Sequence, residues 1–218
     1  FIEMKSVLST KKLSPSQREL LINAGVSLVE YNAIKIEFVP FEVSENIDNA
    51  IFTSQNAVKA VMSYGLGDRS CFCVGEKTKS LLEENGQNVI KMAEYASELG
   101  DYLAKNYKND SFQFFCGNIR SDEIPSKLIE NDIIFEEIEV YKTTLNPKKF
   151  ERQFDAVLFF SPSGVRSFVS ENKMNNSKAI CIGTTTATEA KKYTENVVIA
   201  NATTVESVIA KAVKLLKT

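Results

Sequence analysis

The sequence predicts an α/β protein made of two similar parallel-sheet domains, one inserted in the other and joined by a two-stranded β ladder. Short apolar runs alternate with amphipathic stretches along the 218 residues, which is typical of parallel strands followed by helices. Two motifs also recur in the same order in the two halves of the chain. Two β-rich segments with an alternating pattern flank the first copy of this repeat.

The apolar runs mark the strands, and each precedes a cluster of Gly, Ser, Thr or Pro and then a helical pattern. Strands are predicted at 6–8, 50–53, 71–74, 112–116, 156–160 and 179–182, with shorter ones at 26–30 and 197–200. Ser14 before Pro15 predicts the first helix, because serine caps helix amides and proline fits the first turn. Thr203 or Thr204 is expected to cap the last helix, from about Val205 to Lys217.

The repeat is the most informative feature of the sequence. The segment IFTSQNAV at Ile51–Val58 aligns without a gap with LFFSPSGV at Leu158–Val165. A Cys-x-Gly motif with threonine three residues after the glycine follows at Cys73 and again at Cys181. The interval from Ser to Gly is 21 residues in one copy and 22 in the other, which predicts two similar α/β domains.

Segments 32–41 and 136–144 bracket the first copy of the repeat. Extended segments that flank one domain are expected to pair, since both must run between the same two bodies. We therefore predict an inserted domain over 41–138, an outer domain of 1–35 and 145–218, and linker strands at 34–40 and 138–144. With only two connecting strands, the two domains are expected to move relative to each other.

Composition excludes several classes of function. The formal net charge is −2 and the basic residues are scattered, whereas nucleic-acid binding requires a dense basic face. No run approaches the ~18 apolar residues of a membrane helix, so no membrane contact is expected. The first residues include Glu3 and lack the apolar core of a signal peptide, which favours a cytoplasmic location.

Cysteine and histidine usage limits the chemistry. Cys71, Cys73, Cys116 and Cys181 contain no C-x-x-C pair, and the chain has no histidine. A zinc site would need cysteines from separated segments, or carboxylates, so we interpret the four as reduced core thiols and expect no metal. The absence of histidine removes the usual general base and every Ser-His or Cys-His nucleophile.

Polar and small residues cluster where the predicted strands end and helices begin. Ligands bind at this carboxyl edge of an α/β sheet, where the first helical amides carry positive partial charge. The predicted ligand contacts are the hydroxyls of Thr53, Ser54, Ser161 and Ser163, the glycines Gly75, Gly117, Gly164 and Gly183, and the loop residues Asn118, Ile119 and Arg120. Each of these alone is an ordinary cap or turn residue. Together they predict a two-domain binder of a polyanionic small molecule in a cleft, without specifying a reaction.

A set of motifs in a fixed order resembles the uroporphyrinogen-III synthase family over nearly the whole chain. The motifs are IFTSQNAV at 51–58, CVG at 73–75 with Thr78, FFCGN at 114–118, VYKT at 140–143, FFSPSGV at 159–165 and IGTTTA at 182–187. The resemblance implies a lyase that needs no cofactor and cyclises hydroxymethylbilane, which carries four acetates and four propionates. Loss of its terminal hydroxyl as water gives an electrophilic azafulvene. The substituted carbon of the last pyrrole, ring D, attacks it to form a spiro intermediate. Fragmentation and reclosure then leave ring D inverted and give uroporphyrinogen III. A monomer is the default expectation, with transient contact to the preceding enzyme of the tetrapyrrole pathway.

The resemblance also assigns roles to residues. Tyr141 is the expected acid for the leaving hydroxyl, since a neutral phenol keeps its proton at pH 7; a linker tyrosine packed on a domain is the other interpretation. The further expected substrate contacts are Gln55, Asn56, Thr78, Pro162, Thr184, Thr185 and Thr186. Arg120, Lys142, Arg166 and Lys178 are weaker candidates for charge pairing. Glu76, Lys77 and the acidic 121–123 segment depart from the family pattern and put individual carboxylate contacts in doubt.

Two hypotheses from other classes compete with the synthase. A bilobed regulatory module could keep the scaffold and bind a tetrapyrrole or another anion without turnover. A sugar or nucleotide binder of the periplasmic-receptor kind is disfavoured by the absence of tryptophan and of a signal peptide.

Overall fold

The chain forms two units of parallel β-sheet covered by helices, described for residues 4–217 by a computed structural model. Unit 1 consists of Phe1–Lys35 and Thr144–Thr218, and unit 2 of Ile36–Thr143. The α/β class with parallel sheets is therefore confirmed.

The elements follow in chain order. The strands are β1 Ser6–Ser9, β2 Ser27–Glu30, β3 Ile34–Phe38, β4 Asn49–Phe52, β5 Ser70–Val74, β6 Asn88–Ala93, β7 Ser111–Gly117, β8 Ile134–Leu145, β9 Ala156–Phe159, β10 Lys178–Cys181 and β11 Val197–Ile199. The helices are α1 Pro15–Ile22, α2 Gln55–Met62, α3 Glu76–Glu84, α4 Ala96–Asn106, α5 Glu123–Glu130, α6 Pro162–Glu171, α7 Thr184–Ala190 and α8 Val205–Leu216.

Unit 1 is a doubly wound sheet with the order β11-β10-β9-β1-β2. Its central strands β1 and β9 are buried on both faces, which explains why their interior residues are apolar. Leu8 and Phe159 pack in the cluster that includes residues of α6 and α7, while Val7 and Leu158 pack on the other face in the cluster that includes residues of α1 and α8.

Unit 2 has the sheet order β3-β8-β7-β4-β5-β6. Phe52 and Phe115 stack with their ring centroids 5.2 Å apart in the cluster that contains α2 residues. Ile51 and Phe114 face the opposite cluster, which contains residues of α4 and α5. Alternate residues of each strand therefore serve different helical layers.

The two units share one spatial plan with different chain starts. The order β6-β5-β4-β7-β8 of unit 2 matches β11-β10-β9-β1-β2 of unit 1, and the sequence repeat begins at β4 and at β9. The strands β1 and β2 therefore occupy the places of β7 and β8, although they come first in the chain. Unit 1 is a circular permutation of the plan of unit 2.

The capping predictions at both chain ends agree with the structure. Ser14 accepts a hydrogen bond from the Gln17 amide at the start of α1, and Thr204 accepts one from the Ser207 amide at the start of α8. The Gln17 side chain also bonds the Ser14 amide, which completes a capping box.

Two strands of unit 2 differ from the sequence expectation. β6 was not predicted, because it is an edge strand that alternates exposed Asn88 and Ile90 with half-buried residues. β8 was predicted as linker from residue 138, but it begins at Ile134 and pairs in parallel with β7 as far as Tyr141. Tyr141 therefore belongs to the sheet of unit 2.

Glu189 on α7 provides a measurable contribution to the stability of unit 1. Hydrogen bonding from Lys192 lowers the pKa of Glu189 against the opposing effect of burial, and the charge of Arg166 and a hydrogen bond from Tyr193 lower it further. A lowered carboxyl pKa stabilises the fold above the unfolded pKa of about 4.3, and this contribution is lost as pH falls through the folded pKa. We expect Glu189→Gln to lower the free energy of unfolding by about 1–2 kcal/mol at neutral pH.

Urea denaturation across a pH series tests this expectation. The difference from wild type should shrink below about pH 4, and the exposed Glu195→Gln control should show little difference at any pH. An unchanged difference at acidic pH would contradict the assignment to the Glu189 carboxylate.

Candidate functional site

The sheet of unit 2 has its topological switch point between β4 and β7. From β4 the chain runs through α2 to β5 on one side, whereas β7 runs through α5 to β8 on the other. The loops after these two strands diverge and leave a crevice, which is where open α/β sheets bind ligands. The predicted residues Thr53 and Ser54 follow β4, and Asn118–Arg120 follow β7.

Tyr141 lies across this switch point. It pairs with Gly117 of β7, and a Cβ atom on Gly117 would lie 2.5 Å from Cζ of the tyrosine ring. The tyrosine hydroxyl donates to Ser54 Oγ at 3.2 Å. Glycine at position 117 is therefore what allows the phenol of β8 to reach over β7 to the end of β4.

The phenol is held in its neutral form. Tyr141 is 7% exposed, and burial raises its pKa above the ordinary value, although the hydrogen bond with Ser54 acts in the opposite direction. A group with a raised acid pKa keeps its proton at neutral pH. Tyr141 can therefore donate a proton at this edge.

Two other predicted residues of this edge, Asn118 and Arg120, already have partners within unit 2. Asn118 bonds the backbone of Thr143 through both ends of its carboxamide. Arg120 forms a bidentate ion pair with Glu137 at 2.7 Å and a second pair with Asp122. Hydrogen bonding to Glu137 raises the pKa of Arg120. Ile119 between them is 47% exposed.

The helix that follows β4 begins with a side-chain cap. Ser54 Oγ accepts from the Asn56 amide, so this one hydroxyl joins the α2 amides to the Tyr141 phenol. Gln55 is exposed, and Thr53 is half-buried at the end of the strand.

The next edge, after β5, has a different kind of helix start. Gly75 has φ = 88°, a conformation that favours glycine, and it begins α3 without a side-chain cap. Thr78 is buried, and its Oγ1 lies 3.9 Å from an ideal Cβ at Gly75. The amides at this helix start are consequently not covered by a capping side chain.

Unit 1 repeats the pair of helix starts. Ser161 caps α6 by accepting from the Gly164 amide at 3.0 Å, with Pro162 as the first helical residue. Ser163 is buried and accepts from Arg166, whose guanidinium also pairs with Glu189 at 3.4 Å. The guanidinium of Arg166 is therefore occupied by contacts within unit 1.

The helix α7 has no side-chain cap and begins after Gly183. Thr184 and Thr185 are exposed at its start, whereas Thr186 is buried. Lys178 lies at the beginning of β10, the amino edge of the sheet, away from the predicted contacts. On β8, Lys142 is exposed and 3.9 Å from Glu139.

Thr10 is an edge residue that the sequence did not predict. It follows β1, and its Oγ1 donates to the Leu158 carbonyl at 2.6 Å and would lie 3.6 Å from a Cβ on Gly164. It lies at the switch point of unit 1, between β1 and β9. The sequence repeat points to Thr10 only when unit 1 is aligned as a circularly permuted copy of unit 2, with β1 in the place of β7.

Several other features are separate from these edges. The four cysteines are buried, and burial raises the pKa of each, to about 12 for Cys71, Cys73 and Cys181 and about 11 for Cys116. Within residues 4–217 no three His, Cys, Asp or Glu side chains cluster as metal ligands, and no helix has the length and apolar character to cross a membrane.

A hollow of about 770 Å³ lies at the amino edge of unit 1 near Asn172 and Thr194, and none of the predicted residues line it.

Fold and edges together define a class: a pair of doubly wound α/β units with polar helix starts at the carboxyl edges of their sheets, one of them carrying a buried phenol. The model of the family described as uroporphyrinogen-III synthase HemD matches residues 16–210. The chain belongs to the uroporphyrinogen-III synthase family.

Individual relatives agree with this family. The porphyrin biosynthesis protein HemD of Ruminiclostridium josui is 27% identical over 244 residues, covering 96% of this chain and 48% of the relative. The chain thus spans about half the length of this curated relative.

Solved structures show the same fold. Uroporphyrinogen-III synthetase from Helicobacter pylori matches with a TM-score of 0.73 at 18% identity, covering 97% of this chain and 100% of that chain. A mutant uroporphyrinogen III synthase from the extremely thermophilic bacterium Thermus thermophilus matches with a TM-score of 0.68 at 14% identity, covering 98% of this chain and 99% of that chain.

Proposed function

We propose that this protein is a uroporphyrinogen-III synthase that converts hydroxymethylbilane into uroporphyrinogen III with loss of water. The observation that carries the proposal is the neutral Tyr141 phenol at the switch point of unit 2, in a chain that belongs to this family. A proton donor at a ligand-binding edge suits a reaction that begins with the departure of a hydroxyl group.

The substrate is a polyanion, and the helix starts offer donors for its carboxylates. The amides at the uncapped starts of α3 and α7 carry positive partial charge and have no competing side-chain acceptor. We assign carboxylate binding to these starts and to the exposed hydroxyls of Thr184 and Thr185. Such binding does not need a basic surface, in keeping with the net charge of −2.

The chemistry requires one proton to be supplied and one to be released. Tyr141 protonates the terminal hydroxyl, the carbon–oxygen bond breaks, and the departure of water generates an azafulvenium cation. The substituted carbon of ring D attacks to form the spiro intermediate, whose fragmentation and reclosure through the other α-carbon invert the ring. That carbon then loses its proton, which restores the neutral phenol.

The protein's part in this sequence is to fold the substrate and to hold the acid in place. All bonds that form and break lie within the bilane, apart from the proton exchanged with Tyr141. Positioning and charge stabilisation are therefore the main sources of rate. We further propose that the enzyme works without a cofactor as a cytoplasmic monomer, in transient contact with the preceding enzyme of the pathway.

The isomer of the product tests the function. Purified protein incubated with freshly made hydroxymethylbilane should give the type III isomer, resolved chromatographically after oxidation to porphyrin. A protein-free sample provides the type I isomer that forms spontaneously. Type I alone in the presence of the protein, with tight bilane binding by calorimetry, would instead identify a regulatory binding module.

A further inference from the structure

The ring of Tyr141 faces Ser54 because of a local irregularity in β8. Strand residues alternate between the two faces of a sheet, so neighbours in sequence point in opposite directions. Val140 and Tyr141 nevertheless both pack in the cluster that includes α2 residues. A local departure from regular pairing must place these two neighbours on one face.

That departure is a β-bulge in β8. Cys116 pairs with Glu139 and Gly117 with Tyr141, so Val140 is an extra residue without a partner on β7. The Val140 carbonyl instead accepts from the Val39 amide, which follows β3. Without the bulge, a shift of one residue would turn Tyr141 toward the opposite face.

Asn118 fixes β8 immediately after this bulge. Its amide donates to the Tyr141 carbonyl at 3.2 Å, its carboxamide oxygen accepts from the Thr143 amide at 2.8 Å, and its carboxamide nitrogen donates to the Thr143 carbonyl at 3.2 Å. The side chain thus continues the ladder beyond the last residue of β7. Both ends of the carboxamide are bonded to the backbone of β8, so the strand fixes the orientation of this side chain.

We propose that Asn118 is a positioning residue that holds β8 in its bulged register and so aims the Tyr141 phenol at the reacting hydroxyl, rather than a residue that binds substrate. The mechanistic half of this proposal rests on the proposed function, because it requires Tyr141 to act as the acid. The positional half concerns only where the ring lies and can be tested separately.

Asn118→Ala tests the mechanistic half. A ring displaced by about 1 Å reduces rate while substrate binding persists, so we expect kcat to fall about 10-fold or more with KM within about 2-fold of wild type. Asn118→Asp keeps the acceptor for the Thr143 amide and should give an intermediate kcat. The matched control is Asn49→Ala, which removes a carboxamide bond to Ser111 at the other end of β7 and should leave kcat unchanged.

A double-mutant cycle with Tyr141→Phe separates positioning from a direct role. If Asn118 acts through the phenol, the variant carrying both changes should be no slower than Tyr141→Phe alone. A rise in KM at constant kcat, or rate losses that multiply in the double variant, would overturn the proposal in favour of substrate contact.

Fluorine NMR of protein labelled with 3-fluorotyrosine tests the positional half. The Tyr141 resonance, assigned by its absence in Tyr141→Phe, should shift in Asn118→Ala and stay in place in Asn49→Ala. An unshifted resonance would overturn the proposal whatever the kinetics show. If the protein formed only the type I isomer, the proposed function would fail while a shifted resonance still supported the positioning role.

Discussion

Tyr141→Phe is expected to lower kcat for type III formation by about 10²- to 10⁴-fold, the usual contribution of a positioned general acid. The variant loses one hydroxyl that donates to Ser54, while Ser54 keeps its bond from the Asn56 amide. The free energy of unfolding should therefore change by only about 1 kcal/mol. Initial rates, measured by quenching at short times and resolving the isomers, report the effect.

A close control exists in the other unit. Tyr31 is 6% exposed, compared with 7% for Tyr141, and burial raises its pKa to about 12. Its ring lies among core residues, with the Phe150 ring centroid at 5.2 Å. Tyr31→Phe removes the same atom from a similarly buried ring and should leave the rate unchanged.

The pH dependence gives an independent test of the acid. Because burial raises the pKa of Tyr141, its protonated form persists above the ordinary tyrosine value of about 10. The wild-type rate should therefore show no loss from phenol ionisation below about pH 10. A rate that fell near neutral pH through ionisation of this residue, or a Phe variant with nearly full kcat, would remove Tyr141 from the mechanism.

The fold was predictable because its signals are local or periodic. Buried parallel strands such as β4 and β9 consist of apolar residues, and the helix starts carry serine or glycine at repeated positions. β6 was missed because an edge strand needs fewer apolar side chains, so its pattern lacks the run that marks a central strand.

The site was predictable only as a set of edges. Sequence placed Ser54, Gly117 and Tyr141 among the candidates without indicating that they meet. Their meeting depends on the bulge at Val140, whose carbonyl accepts from the amide of Val39, about a hundred residues earlier in the chain. No local propensity reports such a contact, because a bulge arises from how three separate segments share their backbone bonds.

Permutation explains why Thr10 was not found. The sequence repeat begins at β4 and at β9, so in chain order nothing in the second copy lines up with β7, whose place in unit 1 is taken by β1. The equivalent of the loop after β7 lies near the beginning of the sequence, after β1. Sheet order, rather than chain order, identifies the loops that line a switch point.

Gly117→Ala is the second substitution with a large expected effect. The added Cβ would lie 2.5 Å from Cζ and 3.0 Å from the hydroxyl oxygen of Tyr141, closer than atoms can pack, so the ring must move. The backbone of Gly117 is not in the left-handed region that disfavours alanine. The contact with Tyr141 is therefore the main source of the effect.

We expect kcat to fall about 10²-fold, because a displaced acid cannot reach the leaving hydroxyl. Overpacking should lower the free energy of unfolding by about 1–3 kcal/mol. Kinetics and urea denaturation of the same preparations measure the two effects. Gly183→Ala is the control for the stability measurement, since its Cβ would lie 3.5 Å from Thr203, an ordinary contact distance.

A cycle with Tyr141→Ala identifies the origin of the loss. Removing the ring creates the space that an alanine at position 117 needs, so Gly117→Ala should cost little stability in that background. If the alanine destabilised both backgrounds equally, the strain would lie in the backbone of β7. Gly117 would then be a requirement of the sheet, and the close approach of the phenol would not explain why glycine occupies the position.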